Sequence, residues 1–338
     1  MKNFGRLAAV AAAAGAAFTA ALAGLPAAHA HPSGLPQLRD RAGLVWQDAT
    51  AALVWDVHES IVIGVLLLAL LYGLAVTRWR VKYGWSDRPA ETWQVALFYG
   101  NCGLLYVTLD GVLHHLADEL FFSAHMLQHM LLQLIWAPLL VFSVPDWLWR
   151  ALLRPRVLGR IGGFLSRPIV AFLAFNGFMW GWHYPAMYEL ALRNHPWHIL
   201  QHLCFMTSAV LLWWVLIAPL PELRASYARR MIFIFANMLA MKALGLSLAL
   251  SDHVIYPFYS ENVRALGLDP LSDQQLGAML MWMPGGGFLW FGMARIWWQW
   301  LRSGTPQKGL TGIASIDAAR ARAHGKPAAA PGPAPEAA

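Results

Sequence analysis

The sequence predicts an all-α fold, a polytopic transmembrane helix bundle of about seven spans, and three observations carry that expectation. Of 338 residues, 58% are apolar and 13% are charged, where a soluble globular chain has about 25% charged. The apolar residues come in long blocks, many near the ~20 residues that a helix needs to cross a bilayer. The Lys and Arg residues, finally, crowd into every second connecting segment, as they do in membrane proteins. A formal charge of +7 would otherwise suggest a nucleic-acid partner. Its placement assigns it to topology, and no nucleic acid is expected.

Residues 1–30 read as a signal peptide. Lys2 and Arg6 precede an apolar run over 7–25, followed by Pro26 and the small-x-small site Ala28-His29-Ala30. Cleavage after Ala30 makes His31 the mature N-terminus; the run is long, so an uncleaved anchor is the alternative. Residues 31–57 form an outer N-terminal segment. A membrane domain over 58–302 then holds spans at 60–77, 94–113, 125–144, 169–183, 198–220, 231–250 and 276–300. The fourth is short, with room to continue through Pro185. Between Asp146 and Arg167, a WLW run, several arginines and Gly162-Gly163 suit a stretch along the inner interface. Residues 303–338, ending KPAAAPGPAPEAA, have the composition of a disordered cytoplasmic tail.

With the N-terminus outside, the inner segments hold Arg78, Arg80, Lys82, Arg88, Arg150, Arg154, Arg156, Arg160, Arg167, Arg224, Arg229, Arg230 and the basic residues from Arg295 onward. The outer segments hold only Arg39, Arg41, Arg193 and Arg264. The positive-inside rule thus agrees with the signal peptide: N-terminus out, C-terminus in.

Histidine is the residue that this pattern leaves to be explained. Apart from His29 and His324, the histidines are His31, His58, His114, His115, His125, His129, His183, His195, His198, His202 and His253. On this topology all fall in outer loops or at outer ends of spans. The third and fifth spans both run inward, and they open with HMLQH (125–129) and HILQH (198–202). In a helix, residues i and i+4 share a face, with Cβ atoms roughly 5–6 Å apart. Each pentapeptide therefore presents two imidazoles in one direction at one depth, and two such helices can offer four nitrogen ligands to a metal. Gln128 and Gln201 are placed to hydrogen-bond an outer ring nitrogen. The blander reading is a set of polar contacts between helices.

His183, in Trp182-His183-Tyr184-Pro185, and His58 lie at the same level, as does Asp273-Gln274-Gln275. Met126 and Met130 flank the histidines, and Met279 and Met283 form another i, i+4 pair. Thioether with imidazole suits copper(I), although methionines in apolar helices mostly pack. Asn101, Asp110, Asn176, Asn237 and Lys242 are polar within spans, and an Asp110–Lys242 ion pair is expected. Gly285-Gly286-Gly287 after Pro284 reads as a kink or a close helix contact. Cys102 and Cys204 form no C-x-x-C, which argues against a thiol-based copper shuttle. Phosphate-binding loops, dinucleotide fingerprints and nucleophile elbows are absent from the sequence.

SAHMLQHMLL with APLL, then WHYPAMYELAL, HILQHLCF with APLP, and DQQLGAMLMWMPGG occur in order between about His58 and Trp300. In these motifs the chain resembles the CtaG-like family, multi-span assembly factors of caa(3)-type cytochrome c oxidases. It does not resemble the cysteine-bearing, single-span copper chaperone that shares the name. The resemblance implies a protein of the bacterial plasma (inner) membrane that handles copper for a haem-copper oxidase subunit, with a periplasmic copper donor as a further partner. The motif residues carried over by position are His125, Gln128, His129, Trp182, His183, Pro185, His198, His202, Asp273, Gln274, Trp282 and Pro284. The expected metal ligands are His125, His129, His183, His198 and His202, facing outward, in an assembly factor and not an enzyme. The alternatives are a histidine-box di-iron oxidoreductase and a haem- or quinone-binding electron carrier. Di-iron boxes sit at the cytoplasmic face, and transmembrane electron transfer favours ligands at two depths; this chain fits neither.

Overall fold

The computed structural model describes residues 57–303, where the chain is a succession of helices without a strand. The expected signal peptide, His31 and the tail beyond 303 lie outside the described residues. Helix α1 runs Glu59–Lys82, α2 Thr92–Leu120 and α3 Phe122–Ser143. Two short helices, α4 (Asp146–Leu153) and α5 (Arg156–Leu165), lead into α6 (Pro168–Trp182). After them come α7 (Pro185–Arg193), α8 (His195–Ile217), α9 (Tyr227–Ala249), α10 (Ser260–Ala265) and α11 (Pro270–Arg302).

Helices α1, α2, α3, α8 and α9 are long and apolar enough to cross a bilayer, and α5 with α6, bent by 74°, makes a sixth crossing if the pair counts as one. Alone, α6 has 15 residues, about 22 Å at 1.5 Å per residue, short of the ~30 Å hydrocarbon core. It does not continue through Pro185, because the chain turns at His183 and α7 starts afresh. The expected seventh span lies inside α11, whose 33 residues are ample. Its Pro284, the glycines after it and its tryptophans keep it below the apolarity of the other five.

Local sequence accounts for where the helices begin. Proline stands in the first turn of α6, α7, α8 and α11, where its missing N–H costs nothing. Asp269 caps α11 by accepting from the N–H groups of Leu271 and Ser272. Glu91 and Gln94 form a reciprocal capping box on α2. Near its end α2 is interrupted at Gly111, where a Cβ would stand 2.4 Å from the Val107 carbonyl oxygen. A π-helical turn over Leu116–Leu120 follows, and another over Leu131–Trp136 interrupts α3. Such turns re-aim side chains and recur at functional sites.

The bundle is wrapped around α3, with α11 packed along α9 and α3, and α8 along α6 and α3. Glycine permits the closest approaches: a Cβ on Gly277 would sit 2.4 Å from Phe122 Cδ1 and 3.1 Å from the Ser123 backbone, and one on Gly245 would sit 2.7 Å from Trp282 Cβ. The glycine run after Pro284 likewise makes a close contact at Gly285, where a Cβ would lie 3.2 Å from Met241 Cε. Gly277→Ala is therefore expected to push α11 off α3 and cost roughly 1–3 kcal/mol. The check is the thermal midpoint in detergent beside Gly64→Ala, which has open space around it. Equal midpoints would contradict the close approach.

Polar residues inside the bundle tie helices together. Asn176 donates to Asn237 Oδ1 at 2.8 Å, joining α6 to α9, and Asn101 donates to the Trp136 carbonyl at 3.1 Å, joining α2 to α3. The expected Asp110–Lys242 pair does not form. Lys242 lies on an exposed face of α9, over the Trp282 ring, while Asp110 turns inward and takes the His58 backbone N–H and its Nδ1. At one end of the bundle Arg150 pairs with Glu222, Arg230 donates to the Leu216 carbonyl, and Trp214 Nε1 bonds Ser166 Oγ. The histidines of the two pentapeptides, at the starts of α3 and α8, occupy the other end.

Candidate metal centre

Two helix beginnings build the centre. Both α3 and α8 carry their histidine pair close to their first residue, Phe122 and His195 respectively, so the i, i+4 spacing puts each pair on one face. The faces meet. His129 Nε2 lies 2.6 Å from His125 Nε2, and His202 Nε2 lies 2.8 Å from His198 Nε2. Between the helices, ring centroids are 5.0 Å apart for His129 and His202, 5.8 Å for His125 and His198, and 6.3 Å for His125 and His202. All four rings are buried, His125 completely. Imidazoles meeting through Nε2 can share a proton, or turn their lone pairs onto one cation.

A carboxylate joins them that sequence reading missed. Asp118, on the π-helical turn of α2, groups with His125 and His198 in a cluster whose ligand atoms all lie within 4.8 Å of one another. Its Oδ2 is 3.3 Å from His198 Nδ1 and 3.4 Å from His114 Nε2. One signal for it was legible: His114/Asp118 and His115/Glu119 are both i, i+4 pairs near the end of α2. Tyr259, from the turn before α10, places its hydroxyl 3.3 Å from His125 Nδ1 while donating to the Ala117 carbonyl at 2.9 Å. A carboxylate on the far nitrogen of a histidine is the usual way to orient a ligand ring.

His183 is brought near by other means. Its Nδ1 donates to the Met179 carbonyl at 2.7 Å, so Nε2 carries a lone pair. It shares Phe205 and Tyr188 as ring neighbours with His129 and His125 respectively. His183 Nε2, His129 Nδ1, His202 Nδ1 and Asp118 Oδ1 are buried without a hydrogen-bond partner among the described residues. Each such group costs about 1–3 kcal/mol. Among the described residues, Asp118, His125 and His198 are the group whose ligand atoms lie close enough to share an ion, and a donor set of imidazoles with one carboxylate suits copper, zinc or iron.

Other expected participants have different roles. Gln128 serves His114, its Nε2 lying 3.0 Å from His114 Nδ1 and 2.8 Å from the Thr108 carbonyl; Gln201 is buried beside its own pair. Asp273 accepts from the backbone N–H groups of Phe122 and Ser123, and Gln274 Oε1 from those of Ile255 and Tyr256. These two clamp the backbone at the start of α3 and in the turn before α10. Met279 and Met283 face outward, 42% and 64% exposed, whereas Met126 and Met130 pack in the core. His253 is exposed and pairs with Asp252, holding that carboxyl below its usual range by a hydrogen bond. Cys102 and Cys204 are free thiols.

The model of the cytochrome c oxidase caa3 assembly factor family matches residues 70–303, which contain every helix of this centre. The chain belongs to that family. Its described residues give it a helical fold with five helices, or six counting the bent pair, long and apolar enough to cross a membrane. Similar proteins include uncharacterized proteins of Mycobacterium bovis and Mycobacterium tuberculosis, each 25% identical over 256 residues, covering 69% of this chain and 37% of theirs. One of Mycobacterium leprae is 25% identical over 251 residues, covering 68% of this chain and 37% of its own. The matched region thus spans little more than a third of these relatives. No solved structure matches the chain.

Proposed function

We propose that this assembly factor holds copper at the four-histidine centre and passes it to an oxidase subunit in the same bilayer. One observation carries the reading: four buried imidazoles from two parallel helix beginnings converge with a carboxylate, leaving ring nitrogens unsatisfied. Imidazole alone does not select copper over zinc or iron. The choice of copper rests on the family's client, a haem-copper oxidase. The methionines add little, because the Met279 and Met283 side chains point away. Asp118 offsets the positive charge of the ion instead, and the site serves copper in either oxidation state.

The centre faces the periplasm in this reading, since arginines mark the opposite end of the bundle and basic residues favour the cytoplasmic side. A periplasmic donor loads it. Holding and releasing an ion requires no bond-making step, so the chain acts without catalysis. Oxidase purified from cells lacking this chain is expected to retain its polypeptides but to be depleted of copper, and a plasmid-borne copy should restore the metal. A fully copper-loaded oxidase from such cells would contradict the proposal.

A further inference from the structure

The four-histidine centre is buried, and the end of α2 forms a graded line towards it. His58, just ahead of α1, keeps 20% side-chain accessibility, and both its backbone N–H and its Nδ1 lie 2.7 Å from Asp110 Oδ1. Asp110 is wholly buried, and its Oδ2 has no hydrogen-bond partner among the described residues. The His114 ring stands edge-on to His58 at 5.2 Å between centroids and stacks on His198 at 6.2 Å. His114 Nε2 and His198 Nδ1 converge on the same oxygen of Asp118. Side chains therefore adjoin one another from an accessible imidazole to the first histidine of the centre.

A tether holding α1 to α2 would account for Asp110 Oδ1 alone. It leaves unexplained why Oδ2 is buried without a partner among the described residues, which is costly for a carboxylate in a low-dielectric bundle. Ionisable groups within membrane helices commonly mark an ion path. Two carboxylates between apolar walls also attract cations and repel anions. We propose that His58, Asp110 and His114 form an entry station that copper crosses without being retained, passing by way of Asp118 to His198. The station governs how fast the centre fills, and the four histidines govern how much it holds. This inference rests on the centre being a copper site.

The test mixes full-length protein in detergent with Cu(I) presented by a coloured chelator and follows uptake as the colour falls. Asp110→Asn and His58→Gln are expected to reach the wild-type amount at least about tenfold more slowly, the low end of what a charged, low-dielectric entrance adds to an on-rate. Asp110→Glu should recover most of the rate. The His125→Ala/His129→Ala variant, in contrast, should lose amount. Wild-type uptake kinetics in Asp110→Asn would overturn the station while leaving the centre intact. A reduced final amount in Asp110→Asn would also overturn it, making Asp110 a tether that shapes the fold. If wild-type protein takes up no Cu(I), the central reading fails first and the station with it.

Discussion

Replacing His125 and His129 together with alanine is expected to lower copper affinity by more than about 100-fold, because losing even an outer-shell partner of a ligand costs 10–100-fold. These two rings supply half of the four imidazoles, and they sit at the point where α3 meets α8. Their removal also strands Tyr259, whose hydroxyl lies beside His125 Nδ1. Cells carrying the variant should show low oxidase activity with a normal level of this chain in the membrane. Met238→Ala, on α9 and outside the histidine cluster, is the control. Undiminished copper binding in the double variant would reduce the imidazoles to a polar helix contact.

Asp273→Ala has the largest expected effect on stability. The carboxylate reaches from α11 across about 150 residues of sequence to accept from Phe122 N–H at 2.8 Å, Ser123 N–H at 3.3 Å and Ser123 Oγ–H at 2.5 Å. It caps the helix that carries His125 and His129, where a negative charge also favours the helix dipole. Alanine leaves the Phe122 N–H buried and unpaired, a loss of roughly 2–4 kcal/mol. The thermal midpoint in detergent should fall accordingly, and Asp273→Asn should recover part of it by keeping an acceptor oxygen. Since the same cap sets the register of the histidine pair, copper affinity should weaken as well. An unchanged midpoint would mean that α11 does not hold α3 in place.

The sequence made some of this legible and hid the rest for physical reasons. Helical class, most span positions and the two histidine faces follow from apolar run length and an i, i+4 spacing, both local properties of a helix. Asp118 was harder to find because its contribution depends on the break at Gly111 and the π-helical turn behind it, which rotate the end of α2 inward. Tyr259 reaches His125 from a connecting loop 134 residues away, and no local period encodes that. The expected Asp110–Lys242 pair failed because composition shows that two charges lie within spans, but not which way each one faces. Asp273 and Gln274 stood out as polar residues at a helix start, yet their partners are backbone N–H groups, which carry no sequence signature.

X-ray absorption at the copper edge of the copper-loaded, full-length protein is the most direct measurement of the central claim. A first shell dominated by nitrogen, with the outer-shell scattering of imidazole rings, is expected, and that signature should be lost in the His125→Ala/His129→Ala variant. A sulfur-dominated shell, or an imidazole signature that survives in the double variant, would contradict it. So would a purified protein whose metal is iron or haem and which takes up no copper.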